Sequence, residues 1–143
     1  MKVVHLINGL GRGGGERLLV RLVAGLDRSR VSVYCLTRRG PLADDLVALG
    51  VPVRELTYRC LPVVWNIVRL AKALWQADVL HTHFFYSDLV GSVLGRVLRV
   101  PLRFATRHET GYWMTRAHRA LEPWIYRGFH RVICVSQAVR EAM

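Results

Sequence analysis

Two groups of residues in this chain of 143 have the types and spacing to do chemistry. The first is the loop Asn8-Gly9-Leu10-Gly11-Arg12-Gly13-Gly14-Gly15-Glu16, in which Gly9, Gly11 and Gly14 match G-x-G-x-x-G. Residues without side chains let peptide N–H groups and the positive end of a following helix sit against phosphate or sugar oxygens. The same glycines would also serve a tight turn that binds nothing. The second group is rich in imidazole: His81-Thr82-His83, and Thr106-Arg107-His108-Glu109. Alternation along a strand puts His81 and His83 on one face, and His108 with Glu109 could add ligands for a metal-dependent hydrolase. No carboxylate cluster completes such a site. A strand-end histidine whose ring nitrogens are satisfied by backbone is the simpler reading, so neither a metal nor a resident cofactor is expected.

Hydrophobic periodicity supplies the elements that must position these residues. Apolar runs predict strands over Val3–Ile7, Val31–Leu36, Val51–Leu56, Asp78–His83, Leu102–Thr106 and Arg131–Val135. Helical stripes predict helices over Glu16–Leu26, Pro41–Leu49, from Pro62 through Leu74, over Ser87–Leu98 and over Trp113–Tyr126, the last kinked or divided at Pro123. Gly50 should close the second helix, and Ser136 should cap a final one. Strand and helix alternate six times, and the strands read as continuous apolar runs covered on both faces. The predicted fold is a doubly wound parallel sheet, a Rossmann-like three-layer α/β/α domain of about six strands. Such sheets bind ligands beyond the carboxyl ends of their strands, at residues 9–16, 37–40, 81–88 and 106–110 and at Ser136.

Composition narrows the class. A hydrophobic fraction of 52% supports one buried core and argues against disorder. The formal net charge is +11, from 21 basic and 10 acidic residues. All the basic residues but Lys2 and Lys72 are arginine, which suits phosphate through its planar two-pronged donor set. A solvated basic surface explains the same charge without any ligand. Cys35, Cys60 and Cys134 are too scattered for a disulfide framework and fit a reduced, cytoplasmic compartment. No uncharged run reaches the length of a membrane span, so membrane contact would be peripheral, at the inner face. Residues 112–131 interleave Tyr112, Trp113, Trp124 and Tyr126 with Arg116, Arg119, Arg127 and Arg131, as an interfacial helix against anionic lipid would. No nucleic-acid module is present, so nucleic acid is not an expected partner.

A nicotinamide site would require a carboxylate at the end of the second strand, and the chain has Thr37-Arg38-Arg39-Gly40 there. Arg38 and Arg39 leave an NADP-dependent oxidoreductase as the alternative reading. The ordered motifs point elsewhere. Gly13-Gly14-Gly15-Glu16 resembles the G-G-x-E loop of family 4 retaining glycosyltransferases of the GT-B fold. Asp78-Val79-Leu80-His81-Thr82-His83, Val100-Pro101 with Thr106-Arg107-His108, and Val132-Ile133-Cys134-Val135-Ser136 are similar to three further motifs of that family, in the same order.

The resemblance implies that residues 1–143 are a single N-terminal, acceptor-side domain, with the C-terminal donor-binding domain absent. It implies transfer of a hexose from a nucleotide diphosphate sugar to a hydroxyl acceptor on a cell-surface glycan or a lipid-linked carrier, with retention of configuration. Within it, His108 is the expected catalytic imidazole facing the transferred sugar. Gly13, Gly14, Gly15, Glu16, His83 and Arg107 are the expected substrate-binding residues, and the isolated chain is expected to be inactive alone. A non-catalytic binding domain descended from such an enzyme is the remaining alternative.

Overall fold

The computed structural model describes residues 1–56 and 63–143. Strands β1 (Val3–Ile7), β2 (Val31–Cys35), β3 (Val53–Glu55), β4 (Val79–His83), β5 (Leu102–Arg107) and β6 (Arg131–Cys134) form one sheet in the order β3-β2-β1-β4-β5-β6. Every neighbouring pair is parallel. Between and after them run α1 (Gly14–Ala24), α2 (Leu42–Ala48), α3 (Val63–Trp75), α4 (Phe85–Val97), α5 (Arg116–Tyr126) and α6 (Gln137–Glu141). This is the doubly wound three-layer α/β/α domain that the alternating pattern predicts.

Side-chain alternation sorts the core into two layers. On one face, Ile7, Val33 and Cys35 meet Leu19 and Val23 of α1 and Ala43 and Leu46 of α2. On the other, Val4, Leu6, Tyr34 and Leu80 meet Leu70 and Leu74 of α3, with Val90 and Leu94 of α4 packed beside them. Leu19 and Leu46 are fully buried, so truncating either to alanine should cost about 2–5 kcal/mol. Helix α5 joins the second layer, where Ser92 of α4 donates to the Ile125 carbonyl at 2.8 Å.

Several boundaries differ from the sequence prediction for identifiable reasons. Helix α4 starts at Phe85 rather than Ser87, because Asn8 at the end of β1 caps it from outside. The Asn8 Oδ1 accepts from the Ser87 amide at 3.0 Å and from its hydroxyl at 2.8 Å. Helix α5 starts at Arg116 rather than Trp113, because Thr115 and His118 form a reciprocal capping box. Pro123 lies inside α5 without dividing it, on the exposed side where solvent can satisfy the carbonyl that proline leaves unpaired. Gly50 takes a positive φ of 80° after α2, and Ser136 caps α6 by accepting from the Val139 amide, both as expected. Pro62, expected to open the third helix, and Cys60 lie outside the described residues.

Candidate functional site

The chain winds outward from β1 to β3, then returns to place β4 on the other side of β1. Loops leaving β1 and β4 therefore diverge over opposite faces and open a crevice at their carboxyl ends. The glycine loop follows β1, Phe84 follows β4, and His108 follows β5. All three meet at this crevice.

Helix α1 begins inside the glycine loop, with Gly13 as its N-cap and no side chain capping it. Each of the three consecutive glycines does something different. A Cβ on Gly13 would stand 2.3 Å from the Glu16 carboxylate, which folds back over the loop and also lies against Gly11. A Cβ on Gly15 would stand 2.6 Å from the Phe84 ring and 2.8 Å from the His108 ring. A Cβ on Gly14 would meet nothing within 4 Å. The backbone at Gly14 is thus the open part of the helix start, where peptide N–H groups and the helix dipole are free to face an anion or a hydroxyl. Gly14, Gly15, Arg17, Arg21 and His108 line a surface depression of about 400 Å³. Glu16 both balances the helix dipole and shapes the loop.

Behind His108 runs a series of imidazoles. Register pairs His5 of β1 with His81 of β4, and Ile7 with His83, so His5, His81 and His83 share the α1 face of the sheet. His5 Nδ1 lies 3.2 Å from His83 Nε2, and His83 Nδ1 lies 3.1 Å from His108 Nε2. His81 stands beside the series, its ring 4.4 Å from that of His83 and its Nε2 2.7 Å from the Thr106 hydroxyl. His5 and His83 are each 1% exposed. Burial disfavours the charged ring, and neighbouring imidazoles add to the effect. Burial, with His81 beside it, pushes His5 down to about 3. Burial, with His108 nearby, pushes His81 down to about 4, and burial alone takes His108 to about 4. His83 falls well below the ordinary imidazole value through burial and its three histidine neighbours. At neutral pH the whole group is uncharged.

Nitrogens of His5, His81 and His83 lie within 4.8 Å of one another, close enough to gather round a cation. Both nitrogens of His83 are already engaged, however, and the group contains no carboxylate to offset a dication placed in the interior. These rings fit a hydrogen-bonded network better than a metal centre.

Arg107 and His108 are adjacent in sequence yet face opposite layers. Arg107 is 4% exposed and points into the α4–α5 side, where it pairs with the buried Glu122 and donates from Nε to the Glu109 carbonyl at 3.1 Å. Asp88 lies in the same interior, accepting from the Thr82 hydroxyl and, at 3.4 Å, from the Tyr126 hydroxyl. Burial pushes its carboxyl up to about 7 against those hydrogen bonds. Arg107, expected at the substrate, thus braces the loop that carries His108. His83 likewise reaches the crevice only through His108. Gly13, Gly14, Gly15, Glu16 and His108 are brought together at the rim.

Arg39, one of the pair that kept the oxidoreductase alternative open, faces Asp44 at 3.7 Å, and its amide donates to Glu55. Glu109 accepts from the Trp113 indole at 2.6 Å. Of the aromatic and basic stretch 112–131, Tyr112, Leu121 and Trp124 are exposed, Ile125 is buried, and the Arg96 guanidinium lies 5.0 Å over the Trp124 ring. A separate apolar groove of about 380 Å³ opens at the same carboxyl edge, lined by Leu36, Leu56, Ile67, Leu70, Leu89 and Val93 among others. Among the described residues no helix is long and apolar enough to cross a membrane.

Sequence reasoning missed His5, and within the strand-end stretch 81–88 it did not single out Phe84 or Asp88. The signal for His5 was a single imidazole in an otherwise apolar central strand, on the same face as its β4 neighbours once β1 and β4 pair. Phe84 adopts φ 74° and ψ 154°, a strained backbone for a residue with a side chain. Its ring packs on His108 with centroids 4.7 Å apart.

A parallel doubly wound sheet with a glycine loop and an imidazole meeting at its switch point defines a nucleotide-binding-like domain of the kind from which GT-B glycosyltransferases are built. Residues 12–143 match the family model for Glycosyltransferase Family 4. The chain belongs to that family, as an N-terminal GT-B domain. It is 29% identical over 124 residues to EpsF of Bacillus subtilis (strain 168), which carries a glycosyltransferase name, with 80% of this chain and 31% of EpsF covered. It is 29% identical over 93 residues to the capsular polysaccharide biosynthesis glycosyltransferase CapH of Staphylococcus aureus, with 63% of this chain and 26% of CapH covered. In fold it is similar to HepE of Anabaena in complex with UDP, with a TM-score of 0.82 and 19% identity over 99% of this chain and 40% of HepE. Against HepE in complex with UDP-glucose the TM-score is 0.79. The chain spans less than a third of the length of EpsF and of CapH.

Proposed function

We propose that this chain forms the acceptor-side wall of a cleft in which a hexose passes from a nucleotide diphosphate sugar to a hydroxyl, with retained configuration and without a metal. The observation that carries the reading is the meeting of the open Gly14 backbone, Gly15 and the neutral His108 ring at the switch point between β1 and β4. A neutral imidazole there can hydrogen-bond a sugar hydroxyl and help stabilise charge that develops during transfer. The α1 N-terminus can face the donor's phosphate or sugar oxygens. Similarity to HepE, whose structures hold UDP and UDP-glucose, supports a nucleotide-sugar donor. A second, donor-binding domain completes the cleft, so the 143 residues alone hold half a site. The apolar groove on α3 and α4 and the exposed Tyr112, Leu121 and Trp124 beside basic residues favour a lipid-linked acceptor at the cytoplasmic surface of an anionic membrane.

The test is a transfer assay with UDP- and GDP-sugars, on the chain alone and with a donor-binding domain supplied as a fusion or a separate polypeptide. Transfer is expected only in the completed enzyme, and His108→Ala should reduce it roughly 10²–10³-fold. Saturable NADPH binding without any response to sugar nucleotides would overturn the reading in favour of an oxidoreductase.

A further inference from the structure

The imidazole series behind His108 has a direction. A neutral imidazole carries one N–H and one bare nitrogen. His5, His83 and His108 are joined by two contacts, His5 Nδ1 to His83 Nε2 and His83 Nδ1 to His108 Nε2. Only two proton arrangements keep both hydrogen bonds. In the outward arrangement each ring holds its proton on Nδ1: His5 donates to His83, His83 donates to His108, and His108 is left with Nδ1–H. In the inward arrangement each ring holds its proton on Nε2, and His108 presents a bare Nδ1.

The far end of the series decides between them. His5 Nε2 is the one buried side-chain polar atom among the described residues that has no partner. The inward arrangement would place a proton there, an N–H sealed in the core without an acceptor. The outward arrangement leaves only a bare lone pair at that point. Orphaned buried N–H groups are rarer than under-satisfied acceptors, because the donor has a single direction in which to be satisfied. Protonating the series would not resolve the matter, since a charge on any of these rings is expelled by burial. At the near end, a Cβ on Gly15 would lie 2.9 Å from His108 Nδ1, so that nitrogen sits against the start of α1 in the rim depression.

We propose that His5 and His83 act as positioning residues, a hydrogen-bond relay that fixes His108 in the Nδ1–H form and presents a donor, rather than a bare nitrogen, to the group bound at the glycine loop. Taken with the sugar-transfer reading, on which this last clause rests, the rim imidazole is built to donate to a sugar oxygen and is not poised as a base. His81 and the Thr106 hydroxyl stand beside the relay and pair with each other, so neither competes for the His83 nitrogens. Free imidazole side chains in water favour the Nε2–H form, so the predicted state is distinguishable from an unconstrained ring.

The experiment uses the 143-residue chain with ¹⁵N-labelled histidine and long-range ¹H–¹⁵N correlation at pH 7. In the wild-type protein His5, His83 and His108 should all report protonated Nδ1 and bare Nε2. In His83→Leu the relay is cut, and His108 should shift to the Nε2–H form as its majority state. In His83→Gln the amide oxygen can accept from His5 and the amide N–H can donate to His108, so the Nδ1–H majority should return. His108 in the Nε2–H form in the wild-type chain, or retained as Nδ1–H in His83→Leu, would overturn the relay. So would indistinguishable His108 signals in the Leu and Gln variants. The wild-type spectrum requires no variant to fold. None of these readings depends on sugar transfer, so loss of the functional proposal and loss of the relay are separate results.

Discussion

On the α1 face of the sheet, His5 and His83 are buried and His81 is half-buried, all as neutral rings paired with one another, with the Thr106 hydroxyl and with His108. On the α4–α5 face, Arg107 and Glu122 are buried as an ion pair beside Asp88, a carboxyl pushed up to about 7. Both clusters lie under the same rim, and β5 supplies a member to each, since Thr106 faces the first and Arg107 the second. The imidazole side has no charge to neutralise, so it can lead outward to an open position at His108. The charged side must be closed, because a buried guanidinium without its counter-charge is expensive. One face of the sheet therefore leads to the open rim at His108, and the other holds the loop that carries it.

The largest expected effect follows from opening the closed side. Glu122→Ala leaves the 4%-exposed Arg107 without its carboxylate, which should cost about 3–5 kcal/mol in denaturant unfolding. Replacing both partners with apolar residues, Arg107→Met with Glu122→Leu, should recover most of that loss. If the single variant unfolds like the wild type, the pair is not the brace that the comparison makes it.

A smaller effect is expected at the seam between the two faces. Gly15→Ala puts a methyl group within 3 Å of both the Phe84 and His108 rings, overpacking that should cost about 1–3 kcal/mol. In a completed enzyme it should also lower transfer more than Gly14→Ala, whose methyl group meets open space. Equal effects at the two glycines would mean that the rings, and not the loop, can move out of the way.

The sequence made the frame legible because the signals there are local. Apolar runs bounded by turns gave all six strands, and the ordered motifs located the rim at Gly13 to Glu16 and His108. Long-range pairing was not legible. His5 and His83 are 78 positions apart, and their contact exists only because β4 pairs with β1 rather than with β3. Asn8 caps α4 across 79 positions for the same reason, which is why the helix start was misplaced. The resemblance carried by Thr106-Arg107-His108 places Arg107 with His108, although successive strand residues point to opposite faces. A strand-end motif therefore mixes residues of two layers, and only the pairing partners show which is which.

The smallest effects lie in the response to pH, where the two sides pull in opposite directions. The histidines have folded values of about 3 for His5 and about 4 for His81 and His108, below the ordinary 6.5. Above pH 6.5 folded and unfolded chains are equally neutral and their stability is complete. As pH falls from 6.5 toward 4 the unfolded chain takes up protons that the folded one refuses, so Tm should fall. His5→Phe should make that slope shallower. Asp88 has the opposite sign, with a folded value of about 7 raised from 3.8. Its contribution is complete below pH 3.8 and is lost as pH rises through 7, because the unfolded carboxyl ionises readily while the buried one resists. Asp88→Asn keeps an oxygen for the Thr82 hydroxyl and cannot ionise. Measured against the wild type, it should gain stability steadily between pH 4 and 7 and level off above. A difference that does not change with pH would mean that Asp88 is ionised in the folded protein, with Arg107 as its counter-charge. The α4–α5 face would then be a charge triad rather than an ion pair with a protonated neighbour.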